Sequence, residues 1–100
     1  MDTLQLVAEP RRREILGLVW DGEMAASDIA SCFDVTFGAV SQHLSVLRKA
    51  NLVTVRKDGN RRLYRANQDA LAPYKGILEG MWSDTLQHLA ETIENAESDK

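Results

Sequence analysis

Residues 36–66 read TFGAVSQHLSVLRKANLVTVRKDGNRRLYRA, and a change of period inside this stretch decides the fold. Behind Thr36, a residue suited to cap a helix, Val40, Leu44 and Leu47 recur at spacings of four and three and so stack on one helical face. At about 100° per residue the opposite face carries Gly38, Ser41, Gln42, Ser45 and Lys49, with Val46 near its edge and His43 and Arg48 closer to the boundary. Asn51 follows, the best non-glycine residue for a left-handed position after a helix. From Leu52 onward the β-branched Val53, Thr54 and Val55 abandon the helical period and read as a strand. Asp58, Gly59 and Asn60 supply turn chemistry and Arg61 to Ala66 reads as the returning strand. A polar-faced helix therefore leads into a hairpin whose tip is ringed by Arg56, Lys57, Arg61 and Arg62. Leu63 and Tyr64 point to opposite faces, and alternation alone leaves open which of them meets the core.

Upstream, Ser27 reads as the N-cap of a short helix through Ile29, Ala30 and Phe33, ending around Asp34. Before it, Pro10 suits the first turn of a helix with Ile15, Leu16, Leu18 and Val19 on its apolar side, closed by Asp21 and Gly22. Leu4, Leu6, Val7 and Ala8 suggest a first short helix that must be covered from elsewhere. Downstream, residues from about Asn67 to Glu94 read as helical, and Pro73 makes the long helix begin near Ala72 or kink there. Tyr74, Leu78, Met81, Trp82, Thr85, Leu86, Leu89 and Ile93 form an apolar stripe longer than a small core needs. The stripe is read as pairing with the same helix of a second chain, helped by the first helix; the competing reading is a core helix lying across the others.

One hundred residues make one domain, 1–100, which buries only roughly 60 to 70% of its unfolded surface, so self-association is expected. Hydrophobic residues are 44% and charged residues 27% of the chain, an ordinary globular composition. No apolar run approaches the ~20 residues of a membrane span and no signal-like segment opens the chain, so the expected location is the cytoplasm. Cys32 is the single cysteine, which excludes an intramolecular disulfide and a multi-cysteine zinc site within one chain. The formal charge is −3, yet residues 36–66 hold seven Arg and Lys against Asp58 alone, a net of +6. Both flanking segments are acidic. The positive middle is the footprint expected of a phosphate-binding surface.

A short helix followed within a few residues by a helix with a small polar outer face is a helix-turn-helix, here about 27–50, and the basic hairpin 52–66 is its wing. The predicted class is mainly α (α+β), a winged helix-turn-helix with a two-stranded wing and a long C-terminal dimerisation helix. The major groove admits a helix whose outward residues are short, as Gly38, Ala39, Ser41, Gln42 and Ser45 are. Gln42 has the geometry to bond adenine bidentately, while Thr36 and Ser41 suit phosphate oxygens. His43 is either a donor to phosphate or base or a partly buried packing residue, and Arg48 lies at the edge of the face. Arg56, Lys57, Arg61 and Arg62, with Asn60 at the turn, would follow the backbone or enter the adjacent minor groove. The expected subunit contact uses helices 1–8 and 72–94, through Leu4, Val7, Leu78, Trp82, Leu86 and Leu89.

Pro10 with Arg12–Leu16, then Ala39–Leu44, Leu47, Arg48, Ala50, Leu52 and Val53, then Gly59 and Arg61–Tyr64, resemble the ArsR-type family of bacterial transcriptional repressors. The resemblance covers roughly residues 4 to 90. It implies a homodimer that binds a palindromic operator on double-stranded DNA, usually repressing transcription and often that of its own gene. Asn51 stands where such proteins commonly carry Gly. Many members hold a metal through a cysteine pair in a Glu-Leu-Cys-Val-Cys-Asp type of string; the matching Glu23–Asp28 has Ala25 and Ser27 at the thiolate positions, so that site is absent. Asp84, His88 and Glu91 share a helical face, with a single His and an unsuitable spacing for the family's other metal site; they read as a surface triplet, and a metal-responsive repressor is the minor alternative. Cys32 reads as a small, half-buried hydrophobe, and the Gly76/Gly80 pair as coincidence. Neither a cofactor nor an effector site is indicated. His43 and His88 lie far apart, and there is no phosphate loop or nucleophile elbow, so an enzyme is not expected. The remaining rival is a winged-helix module that docks proteins without binding DNA; such a module is expected to have lost the four basic residues that flank this tip.

Overall fold

In the computed structural model, which describes residues 2–82, the chain runs α1 (Thr3–Ala8), α2 (Pro10–Leu18), β1 (Met24–Ala25), α3 (Ala26–Ser31), α4 (Phe37–Lys49), β2 (Val53–Asp58), β3 (Arg61–Ala66) and α5 (Gln68–Leu71). A 3-10 turn, Ala72–Tyr74, then leads into α6, helical from 75 to 82. Several boundaries follow from local chemistry. Pro10 occupies the first turn of α2, where its missing N–H costs nothing, and the Glu9 side chain caps that helix by accepting from the Arg12 backbone N–H at 2.8 Å. Thr36 caps α4 through Oγ1, which accepts from the Ala39 N–H at 3.1 Å. Asn51 takes the left-handed conformation, φ 63°, that ends α4. The hairpin turns through Gly59 and Asn60 with a positive φ, 64°, at Gly59 alone, the type II′ pattern whose twist suits adjoining strands.

Where the structure departs from the sequence reading, long-range pairing is the cause. The wing is part of a three-stranded antiparallel sheet of order β1-β3-β2, since Met24 and Ala25 pair with Tyr64 and Leu63. That pairing keeps residues 24–25 extended, so α3 starts at Ala26 behind Ala25, with no side-chain cap; Ser27 is not the N-cap. Likewise α2 ends at Leu18 rather than at Asp21 and Gly22: the Val19 N–H still bonds to Ile15, but the Val19 carbonyl accepts from the Ala66 N–H at 2.9 Å. Pro73 sits inside the 3-10 turn, so α6 begins only after it.

Val40, Leu44 and Leu47 turn the apolar face of α4 onto α2 and α3, joined by Ile15, Leu16, Val19 and Ile29 in one contiguous buried cluster. Tyr64, on the β3 face shared with buried Ala66, settles the alternation by packing against this cluster. Val7, Leu78 and Trp82 belong to the same cluster, which corrects their assignment to a subunit contact. Trp82 is 8% exposed, donates its indole N–H to the Arg13 carbonyl at 2.7 Å, and meets the Trp20 ring edge-on at 5.1 Å. Gly17 makes the close approach possible: a Cβ there would stand 3.2 Å from the Trp82 indole nitrogen. The C-terminal stripe is thus core at its start, while Leu86, Leu89 and the rest of the expected 72–94 segment lie outside the described residues. Leu4, at 41% exposure, is open to a partner.

Trp82→Ala is expected to lower the unfolding free energy by about 3 kcal/mol in urea melts at fixed protein concentration, as for a large aromatic removed from a core. A loss below about 0.5 kcal/mol would return Trp82 to the surface.

Candidate nucleic-acid interface

Burying Val40, Leu44 and Leu47 dictates what α4 shows to solvent. Thr36, Gly38, Ser41, Gln42, Ser45 and Arg48 are exposed and Ala39 is half-buried. The first turn of α4 carries no acidic residue and its last turn carries Arg48 and Lys49. Because β3 pairs with β1 as well as β2, the wing tip is drawn beside the N-terminal half of α4. A cleft of about 400 Å³ results, with Phe37 and Ser41 from α4 on one side, Asn60, Arg61 and Arg62 from the wing on the other, and Tyr64 and Ala25 lining it as well. Of the residues inferred separately from the sequence, Ser41, Asn60, Arg61 and Arg62 thus line one concave surface.

Not every residue of the expected set faces it. His43 is turned toward α2, with Nδ1 3.9 Å from Glu9 Oε2 and 3.5 Å from Arg12 Nη1, so of its two readings the structure takes the packing one. Position 43 lies one residue before Leu44, and that places its side chain at the seam between α4 and α2. Two wing arginines are already partnered. Arg56 grips Glu23 with Nε 2.9 Å from Oε2 and Nη2 3.0 Å from Oε1, and Arg61 Nη2 lies 2.7 Å from Asp28 Oδ2. The Arg56 hydrogen bonds hold the Glu23 carboxyl below its ordinary range, and the same bonds hold Arg56 more firmly protonated. Lys57 and Arg62, facing one another across the hairpin register, make no ion pair among the described residues.

The fold has close counterparts. The family model described as "Bacterial regulatory protein, arsR family" matches residues 9–55. An HTH-type transcriptional regulator of Mycobacterium tuberculosis is 35% identical over 95 residues, 95% of this chain and 89% of its own length. The chain belongs to the arsR family. An arsenical resistance operon repressor of Staphylococcus xylosus is 37% identical over 68 residues, covering 68% of this chain and 65% of the repressor. The homodimeric winged helix-turn-helix DNA-binding domain of a possible ArsR-family regulator from Mycobacterium bovis superposes with a TM-score of 0.67 at 28% identity, over 84% of this chain and 78% of that one. As a member of this family the chain is a winged helix-turn-helix, DNA-binding transcriptional regulator and not an enzyme.

The sequence reading missed Phe37 as a residue lining the cleft, although it precedes Ser41 by four residues on the same helical face. Cys32 is also corrected: it is exposed, at the C-terminal end of α3 with Sγ 3.4 Å from the Asp28 carbonyl oxygen, because Ile29 takes the core position of that short helix. Asp84, His88 and Glu91 lie outside the described residues.

Behind the interface, Glu9 joins the cap of α2 to His43 of α4. Burial pushes its carboxyl up, but backbone N–H groups of Arg12 and Arg11 and the charges of His43 and Arg12 outweigh burial, so the net displacement is downward from 4.5. A carboxyl lowered by folding stabilises fully above its unfolded value and loses that contribution as pH falls through the folded one. Glu9→Gln, which keeps an acceptor for the cap, is therefore expected to flatten the fall in Tm between about pH 5 and pH 3, read by circular dichroism. Superimposable pH profiles would remove Glu9 from the acid response.

Proposed function

We propose that the protein is a homodimeric repressor, acting in the cytoplasm, that lays α4 in successive major grooves of a palindromic operator and closes its wing on the flanking backbone. The observation that carries this reading is the cleft in which Ser41 of α4 meets Asn60, Arg61 and Arg62 of the wing. Thr36 and Ser41 reach phosphate oxygens, Gln42 and Ser45 present short polar groups to base edges, and Gly38 and Ala39 let the helix approach. Lys57 and Arg62 bind backbone phosphates directly. Arg61 does so by exchanging Asp28 for phosphate, an exchange favoured by the weakness of exposed ion pairs. Arg48 reaches backbone from the far end of α4. Repression is supported by the repressor among its relatives and pairing by the homodimeric Mycobacterium bovis domain. Occupying a promoter is sufficient to repress, and no effector is required for that act.

The test is a mobility-shift titration on the DNA upstream of the protein's own gene, at 50 and 200 mM salt. If each protomer neutralises about three phosphates, affinity falls about 10³-fold between the two. Gln42→Ala is expected to cost about 1–3 kcal/mol on the cognate site alone, Arg62→Ala to weaken all duplexes alike and reduce the salt slope, and Asp28→Asn to strengthen binding by freeing Arg61. Binding that is absent, or indifferent to salt, on every fragment would sink the proposal.

Pairing must set two α4 helices about 34 Å apart. With Val7, Leu78 and Trp82 in the core, the large exposed hydrophobics away from the cleft among the described residues are Leu4 and Ile77, at 41% and 49% exposure. The double change Leu4→Asp with Ile77→Asp should give a folded monomer in sedimentation velocity and a weaker operator complex. A dimer of unchanged mass would place the contact elsewhere.

A further inference from the structure

We infer that Phe37 is a specificity residue that reads a thymine C5-methyl group in each operator half-site. The inference rests on the DNA-binding reading above and deepens it by naming the base group that this side chain recognises. Three large hydrophobics are exposed among the described residues, and two of them, Leu4 and Ile77, lie on α1 and α6; Phe37, at 55%, is the one on the cleft formed by α4 and the wing. It is the first residue of α4, directly after the Thr36 cap, and Ser41 lies one turn further along the same face and lines the same cleft. No core position is served by it, since Val40, Leu44 and Leu47 supply that face. Beside it, Gly38 has no side chain, and beyond its chain neighbours a Cβ built there would meet nothing closer than Thr36 Oγ1 at 3.9 Å.

The chemistry of the groove then limits what an aromatic ring finds there. Every base pair shows the major groove hydrogen-bonding groups that a phenyl ring cannot satisfy, and one edge carries an apolar group, the thymine methyl. Arg61 and Arg62 on the opposite wall of the cleft bring backbone to the same rim, which holds the ring at a fixed depth over the base edge. Burying the methyl against the ring removes apolar surface of both from water. A cytosine or a purine at that position leaves the ring against polar atoms and a poorer fit.

The experiment starts from the duplex that the wild-type dimer selects from a random pool, with each thymine of the selected half-site replaced in turn by uracil. Uracil keeps every hydrogen bond and removes only the methyl. At one thymine per half-site the wild type should lose about fourfold in affinity, and about fifteenfold when both half-sites are changed. Phe37→Ala should bind the thymine and uracil duplexes equally, with its unfolding transition unmoved, as suits an exposed residue. If no thymine is sensitive to demethylation, or if Phe37→Ala discriminates as well as the wild type, the inference is wrong while the DNA-binding reading stands. A pool that yields no enriched sequence would overturn both.

Discussion

The pairing of Met24 and Ala25 with Tyr64 and Leu63 is the constraint on which the rest depends. Without it the β2–β3 hairpin would be a two-stranded arm fixed only at its base, and such hairpins are marginal in water. With it, β3 becomes a central strand bonded on both sides, and its middle, at Leu63 and Tyr64, is tied to the segment that immediately precedes α3. The helix-turn-helix and the wing are thereby joined through one sheet. The cleft between them follows from this tie, because the tie fixes the distance from Ser41 to Arg61 and Arg62.

Charge is managed by the same arrangement. The chain is anionic overall, and cations gathered on one side would repel one another in the free protein. Glu23, just before β1, and Asp28, on α3, each stand opposite a wing arginine and relieve that repulsion. Both pairs are exposed, so each contributes little to stability and yields readily to a phosphate. Their effect is to hold Arg56 and Arg61 against the segment around β1 and α3 rather than to lock the fold. The core is held instead by apolar contact: α4 on α2 and α3, and the Trp82 ring over Gly17 with its N–H satisfied by the Arg13 carbonyl.

Much of the interface was legible one residue at a time, because its features are local. The Thr36 cap, the Val40–Leu44–Leu47 face, the left-handed Asn51 and the Gly59 turn each depend on a few neighbouring residues and on backbone preferences that the residue types carry with them. His43 sat at the boundary of the helical wheel, and its neighbours Glu9 and Arg12, more than thirty positions away, decided its side. Phe37 was passed over because its place beside Arg61 and Arg62 depends on where the hairpin folds back, which the periodicity of α4 does not give.

By itself the sequence determined the order of the elements, the winged helix-turn-helix class and which face of α4 is polar, since periodicity and turn chemistry are short-range properties. Only the tertiary structure decided that two residues as unremarkable as Met24 and Ala25 form the third strand, that Trp82 enters the core instead of a subunit contact, and that Arg56 and Arg61 meet carboxylates. Each of these joins positions about thirty or more residues apart. Backbone groups and charges choose such partners by what the folded chain brings within reach, and spacing along the chain does not encode that proximity.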